Sequence, residues 1–347
     1  MNLSQNNINV KNLILHNYIF KDKYINNLIL FLFFLILTFT LLLPNEFFSM
    51  RILHSISFQM PELGILTLAM MVALISGGLN LTIIATTNLA AITMAYIFHN
   101  YLPINPNSDS YYFIFILVLL SGLIVCLSIG FINGFITAYI GVHPILVTLG
   151  TMTIFDGVSI YVTRGGTVSG FPNEIIFLGN GIIFGLPVPM IIFILCCIMC
   201  TVIMNYTAFG LYVYNIGSNE LATKYSGVNT KKVILNVYIL SGFLCFFVAL
   251  ITMGRFNSAS AANSQSFILL TVLVAFLGGV DPFGGFGKIF GMFLALIILQ
   301  ITSSAFNLLG LSPHLTLAIW GIILIFVLSL AFIKDNITRI IIIFKKL

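Results

Sequence analysis

Charge is what this sequence most lacks. Asp, Glu, Lys and Arg make up only 7% of its 347 residues, where a soluble domain carries about 25%. So few charges cannot cover a water-facing surface, and the 60% hydrophobic content calls for an apolar solvent. Inside a bilayer only helices and closed barrels satisfy the backbone. The apolar runs are continuous and lack the period-two alternation of a barrel strand, so the expected fold is all-α and polytopic. A phosphate-binding loop is lacking as well. Its Gly-x-x-x-x-Gly-Lys-Ser/Thr pattern fails at the chain's only Gly-Lys, Gly287-Lys288, because the first glycine position holds Pro282 and the last holds Ile289. His-Glu-x-x-His, Gly-x-Ser-x-Gly and paired-carboxylate patterns are missing, so no enzymatic chemistry is expected.

The scarce residues point the same way. The five cysteines, Cys126, Cys196, Cys197, Cys200 and Cys245, fall in apolar runs without a nearby His or carboxylate. They read as small buried residues, not metal ligands. The single tryptophan, Trp320, sits inside the last apolar run, where packing is its expected role. No cleavable secretory signal is evident: the first apolar run starts near Asn27 after an Asn-rich stretch, and no small-residue cleavage site follows. The net charge of +5 is spread over helix-flanking loops, which implies no nucleic-acid partner.

What is present is a succession of runs near the roughly 20 residues needed to span a bilayer. Ten are expected as helices, at 26–44, 61–77, 81–99, 112–139, 143–163, 188–206, 233–253, 265–279, 289–308 and 314–333. They divide the chain into an N-terminal segment 1–25, a transmembrane region 26–335 that includes a polar loop 207–232, and a tail 336–347. With ten spans both termini share a side. That side holds Lys11, Lys21, Lys23, Lys224, Lys231, Lys232, Lys288, Lys334, Arg339, Lys345 and Lys346, 11 cations, against Arg51, Arg164 and Arg255, three, on the other. The excess of Lys and Arg on cytoplasmic loops then puts both ends in the cytoplasm.

Two loops are long. Gly165–Pro187 falls outside and is rich in Gly and Pro, with a short interfacial segment expected in it. The inner loop contains Ser218–Ser226, read as a short helix capped by Ser218 and ended by a left-handed Gly227. A discrete rod with small residues (Ala222, Ser226) and one carboxylate (Glu220) suits docking into a groove of another protein, or equally a solvated connector. A faint repeat also appears: Gly141-Val142-His143-Pro144 precedes one span and Gly310-Leu311-Ser312-Pro313 another. On the expected topology they lie on opposite sides, so helices two to five and seven to ten could be inverted repeats.

Five segments in register carry a family resemblance. NIGSNELATKYSGVN (215–229) resembles the AIGGNEEAARLSGIN run of the ribose-type ABC permeases. SGGLNLT (76–82), the stretch 133–165, LGGVDPFGGFGKIFG (277–291) and the stretch 303–324 match further family segments in the same order. The resemblance spans about residues 60–330. It implies an importer permease for a monosaccharide or similar small polyol, and implies that Gly217, Ser218, Asn219, Glu220, Ala222, Ser226 and Gly227 couple it to a separate ATPase. The chain itself would need no cofactor, because ATP is bound by that subunit. Further implied partners are a periplasmic or lipid-anchored sugar-binding protein, docking on outer loops such as 165–187, and a second permease copy or sister permease.

Three departures from the family pattern stand out. Asn80 replaces its Asp, Ile83–Thr87 replaces its Gly, and Ser266–Val272 replaces an acidic stretch. A neutral solute needs hydroxyl and amide partners, so Asn80, Asn88, Asn133, Thr151 and Asn307 are the candidate pathway residues. Asp156, ionisable at mid-helix, is suspect with no assigned role. The substrate stays open between sugars, sugar alcohols, nucleosides, a furanosyl signal molecule and branched-chain amino acids. An ion-coupled secondary transporter and a membrane scaffold are the rival classes.

Overall fold

The computed structural model describes residues 23–42, 49–101 and 109–346. Most of the expected 1–25 segment therefore lies outside the described residues. The chain is almost wholly helical. In order, the helices are α1 (Lys23–Leu42), α2 (Met50–Ile75), α3 (Ile83–Tyr101), α4 (Asp109–Phe135, continued by one π turn, Ile136–Ile140), α5 (Pro144–Thr163), α6 (Asn173–Asn180), α7 (Val188–Tyr206), α8 (Ala208–Ser218), α9 (Glu220–Tyr225), α10 (Thr230–Phe256), α11 (Phe267–Leu277), α12 (Ile289–Leu308) and α13 (Pro313–Lys346). Two antiparallel pairs of two-residue strands join them: β1 (Val168–Ser169) pairs with β4 (Ser258–Ala259), and β2 (Ile182–Ile183) with β3 (Leu186–Pro187).

Every one of the ten expected segments is helical. Among the described residues, seven helices are long and apolar enough to cross a membrane: α1, α2, α4, the π turn included, α5, α7, α10 and α12. The other three differ for physical reasons. Helix α3 has 19 residues but carries Thr86, Thr87 and Asn88, all buried against neighbours. The described apolar stretch of α13 is Pro313–Ser329. Helix α11 has only 11 residues, roughly 16 Å at 1.5 Å per residue and about half a hydrocarbon core. A run of turns, 261–266, leads into it and a glycine-rich loop leads out. The expected tail is not a separate element, since α13 continues as helix through Lys346.

The centre of the molecule is α2. Its C-terminal half, LGILTLAMMVALI, is apolar on every side, and such a helix must be surrounded; Met60–Ile75 is buried throughout. Helices α3, α7, α10, α11 and α12 pack around it. Helix α4 lies against α10 at very short range. A Cβ on Gly130 would stand 2.5 Å from the Tyr238 carbonyl oxygen, and one on Gly242 2.4 Å from that of Cys126. Small residues permit such backbone approach where lipid supplies no hydrophobic drive between helices. Helix α1 is peripheral, with Ile25 and Leu28 packed on Leu294 and Ile298 of α12. The two turns of the faint repeat share one build: Gly141 (φ 86°) and Gly310 (φ 72°) are both left-handed, and Pro144 and Pro313 each begin a helix.

Candidate functional site

Two regions at opposite ends of α2 hold the chemistry. The first surrounds the 207–232 segment, which is more helical than expected. Thr207 caps α8, its hydroxyl accepting from the Gly210 N–H, and Ser218 closes α8 instead of opening the next helix. Asn219 is the actual cap of α9, its Oδ1 accepting from the Ala222 N–H at 2.9 Å. The short rod is thus Glu220–Tyr225, not Ser218–Ser226, because an amide one residue later reaches the free N–H groups that a Ser218 hydroxyl was expected to meet. Gly227 is left-handed at φ 85°.

Of the seven candidate coupling residues, Ser218, Asn219, Glu220, Ala222, Ser226 and Gly227 are exposed, and Gly217 is half-buried. Gly217 lies where three backbones cross. A Cβ there would sit 1.9 Å from the Ile75 carbonyl oxygen at the end of α2 and 2.3 Å from the Gly285 nitrogen. Gly285 N–H in turn donates to that Ile75 oxygen at 2.9 Å. The Tyr214 hydroxyl donates to the Gly287 carbonyl at 2.8 Å. The 278–288 loop is therefore bonded to α2 through main chain, and α8 packs on both at Gly217 and is tied to the loop by the Tyr214 hydroxyl. Leu221 and Tyr225 on α9, and Phe283 and Phe286 on the loop, project outward as exposed apolar groups.

The second region is a cavity of ≈ 230 Å³ between α2, α10, α11, α12 and α13. Its polar wall includes Gln59, Arg255, Ser266, Gln300, Ser303 and Asn307, with the Trp320 indole beside them. Gln300 Nε2 donates to Gln59 Oε1 at 3.2 Å, and Trp320 packs on Phe306 with ring centroids 5.9 Å apart. Gln59 lies 16 residues before Ile75 on the same helix, roughly 24 Å along its axis, so α2 links cavity to crossing.

A buried ion pair stands at one wall, where Arg255 lines the cavity and Glu62 lies behind it. Arg255 Nη1 contacts Glu62 Oε2 at 3.0 Å; the Glu62 side chain is wholly buried while that of Arg255 keeps 20% exposure. Ser264 donates to the other Glu62 oxygen. Ser264 is left-handed at φ 57°, a conformation costing a non-glycine residue about 1–2 kcal/mol, and its neighbours hold it there. Asn88 Nδ2 donates to the carbonyls of Ala261 and Asn263 at 3.1 and 2.9 Å. Arg255 is fixed from the other side by α6, the short segment expected in the 165–187 loop. There Gly179 and Gly254 touch backbone to backbone, and Asn180 Nδ2 donates to the Gly254 carbonyl at 2.8 Å.

The five candidate pathway residues separate. Asn307 lines the cavity. Asn88 staples the segment that carries Ser264. Asn80, Asn133 and Thr151 lie in one buried chain of hydrogen bonds. Thr151 donates to Asn133 Oδ1 (2.7 Å), Asn133 to Thr82 Oγ1 (2.8 Å), Thr82 to Asn80 Oδ1 (2.6 Å), Asn80 to Ser241 Oγ (2.8 Å) and Ser241 to the Ala69 carbonyl (2.9 Å). This chain ties α5, α4, the α2–α3 break, α10 and α2 together. Asp156 is half-buried on α5, with Oδ1 shielded and without a hydrogen-bond partner among the described residues. Trp320, expected only to pack, also borders the cavity. The sequence reasoning missed Glu62. A signal was available in two lone opposite charges, Glu62 and Arg255, at corresponding ends of two apolar runs.

A family profile described as "Branched-chain amino acid transport system / permease component" matches residues 52–328. The chain belongs to this permease family. Among curated proteins it is 30% identical over 271 residues to the autoinducer 2 import system permease protein LsrD of Salmonella typhi, covering 76% of this chain and 78% of that one. The protein of the same name from Yersinia pseudotuberculosis is 28% identical over the same shares. No solved structure matches. The protein is accordingly a polytopic membrane permease of the ABC importer type. The matched region takes in both the α2–α8 crossing and the cavity.

Proposed function

We propose that this chain forms the translocation pathway of a bacterial ATP-driven importer for a monosaccharide or similar small polyol. Its relatives named for autoinducer 2 import make a furanosyl signal molecule a natural member of that substrate class. A separate ATPase subunit binds α9 and its exposed neighbours, a binding protein delivers the solute to the opposite face, and a second permease copy or sister permease completes the pathway. Both termini lie in the cytoplasm on this reading, supported by the 11-to-three division of cations.

The observation that carries the proposal is the main-chain crossing of Gly217, Ile75 and Gly285. A docking element packed backbone against backbone on the end of the buried central helix passes a push into that helix instead of absorbing it in side-chain motion. The test is co-expression with the neighbouring ATPase and binding-protein genes. The permease is expected to co-purify with the ATPase, and Glu220→Lys on the exposed first turn of α9 is expected to weaken that association. Unchanged assembly and uptake with Glu220→Lys would remove α9 from the coupling role.

A further inference from the structure

We infer that the cavity beside Trp320 binds a single neutral polyhydroxylated ring, and that Glu62 keeps it selective for neutral ligands by compensating Arg255. The inference rests on the importer reading and deepens it. The cavity's ≈ 230 Å³ lies below the range of drug-sized pockets, which begins at about 300 Å³. That favours one sugar ring over a nucleoside. Its wall offers the amides of Gln59, Gln300 and Asn307 and the hydroxyl of Ser303. Amide and hydroxyl groups both donate and accept, as each sugar hydroxyl does. The Trp320 indole supplies an apolar side for the carbon-bound hydrogens of a ring.

The charges decide between ligand classes. Among the described residues, Arg255 is the only charged one on the wall. Its guanidinium has five N–H donors; one meets Glu62, and others remain for a ligand oxygen. Glu62 is wholly buried behind it and does not line the cavity. An amino acid would bring an ammonium group with no carboxylate on the wall to receive it. An anionic sugar would have to displace Glu62 as the partner of Arg255. A neutral polyol needs neither. Glu62 is thus a positioning residue acting through Arg255, and Asn307 a direct contact.

Trp320 is the chain's single tryptophan, so fluorescence excited selectively at tryptophan, apart from the 13 tyrosines, reports on this site. The full chain in nanodiscs with a tryptophan-free scaffold would be titrated with D-ribose, D-ribose 5-phosphate and L-leucine. A saturable change is expected with D-ribose only. Asn307→Ala, at an exposed position with no internal side-chain hydrogen bond among the described residues, is expected to weaken D-ribose binding about tenfold, the loss of one good hydrogen bond. Glu62→Gln is expected to weaken D-ribose and create a response to D-ribose 5-phosphate; a merely structural role would weaken D-ribose without creating that response. Should Glu62→Gln fail to fold, Asn307→Ala together with the wild-type ligand comparison decides. A response to L-leucine or D-ribose 5-phosphate in the wild type, or none to D-ribose, overturns the assignment. If the whole transporter in proteoliposomes still couples ATP hydrolysis to uptake, only this site falls; if the chain does not assemble with an ATPase, the importer reading falls.

Discussion

Gly217→Ala tests the coupling geometry most sharply, because local and tertiary effects oppose each other. Gly217 is helical in α8, where alanine is favoured over glycine by about 1 kcal/mol. A Cβ would nevertheless lie 1.9 Å from the Ile75 oxygen and 2.3 Å from the Gly285 nitrogen. Both neighbours are backbone and cannot rotate away. Restoring ordinary contact near 3.5 Å moves α8 about 1.5 Å from the end of α2. A shift of that size, shared between the partners, stretches the 2.9 Å Gly285–Ile75 hydrogen bond beyond useful range, at a cost of about 1–3 kcal/mol. The net stability change is therefore small, up to about 2 kcal/mol, while the joint itself opens. In proteoliposomes containing the whole transporter, uptake per ATP hydrolysed is expected to fall at least about tenfold, with the complex still assembled. Gly141→Ala is the control. Gly141 is left-handed at φ 86° with nothing within 4 Å of its Cβ position, so it costs about 1–2 kcal/mol of strain and leaves the joint intact. A Gly217→Ala transporter with wild-type coupling would refute the reasoning.

Further outcomes follow from the buried polar groups. Arg255→Ala leaves the buried Glu62 carboxylate with Ser264 alone and is expected to cost about 3 kcal/mol, whereas Glu62→Leu with Arg255→Met recovers most of it; denaturation in mixed micelles measures both, and an additive double variant would contradict the pairing. Asn133→Ala cuts the Thr151–Asn133–Thr82 links; at about 0.6 kcal/mol per intramembrane hydrogen bond the expected loss is roughly 1 kcal/mol, read by the same method. Asn80→Asp, which restores the residue of the ribose-type pattern, removes the donor to Ser241. Ser241 must then turn from the Ala69 carbonyl, so lower thermal stability is expected, and an increase would show that the network accepts a carboxylate.

The overall architecture was legible because it follows from solvent. Apolar runs of spanning length make helices wherever they occur, and all ten did so. The polar residues were harder to place, since a sequence gives the type of a side chain but not what it faces. Asn133 and Thr151 lie 18 positions apart and satisfy each other, which no spacing rule reveals. The limits of α9 moved by one or two residues for a local reason: Ser218 and Asn219 can both cap, and Asn219 does. Helix α2 was expected from residue 61 but begins at Met50, because Ser55, Ser57 and Gln59 dilute the apolar signal over turns that are nonetheless helical.

Glu62 shows what composition conceals. Hydropathy treats an acidic residue in an apolar run as a blemish near its edge, yet this one is wholly buried and paired. Its partner Arg255 was counted only as one of three cations on the outer side. A buried charge needs both a partner and hydrogen bonds for its remaining lone pairs, and here Arg255 supplies the first and Ser264 the second. Three separate elements keep that arrangement in place: α6 through Asn180, α3 through Asn88, and the left-handed Ser264 itself. A salt bridge needed only for stability could be replaced by apolar side chains at little cost. One that several elements maintain beside a polar cavity is better explained by the charge-compensated guanidinium donors it holds at that cavity. The two accounts part at the Glu62→Leu, Arg255→Met double variant: a stability role predicts recovered folding with transport intact, and a cavity role predicts recovered folding with transport still impaired.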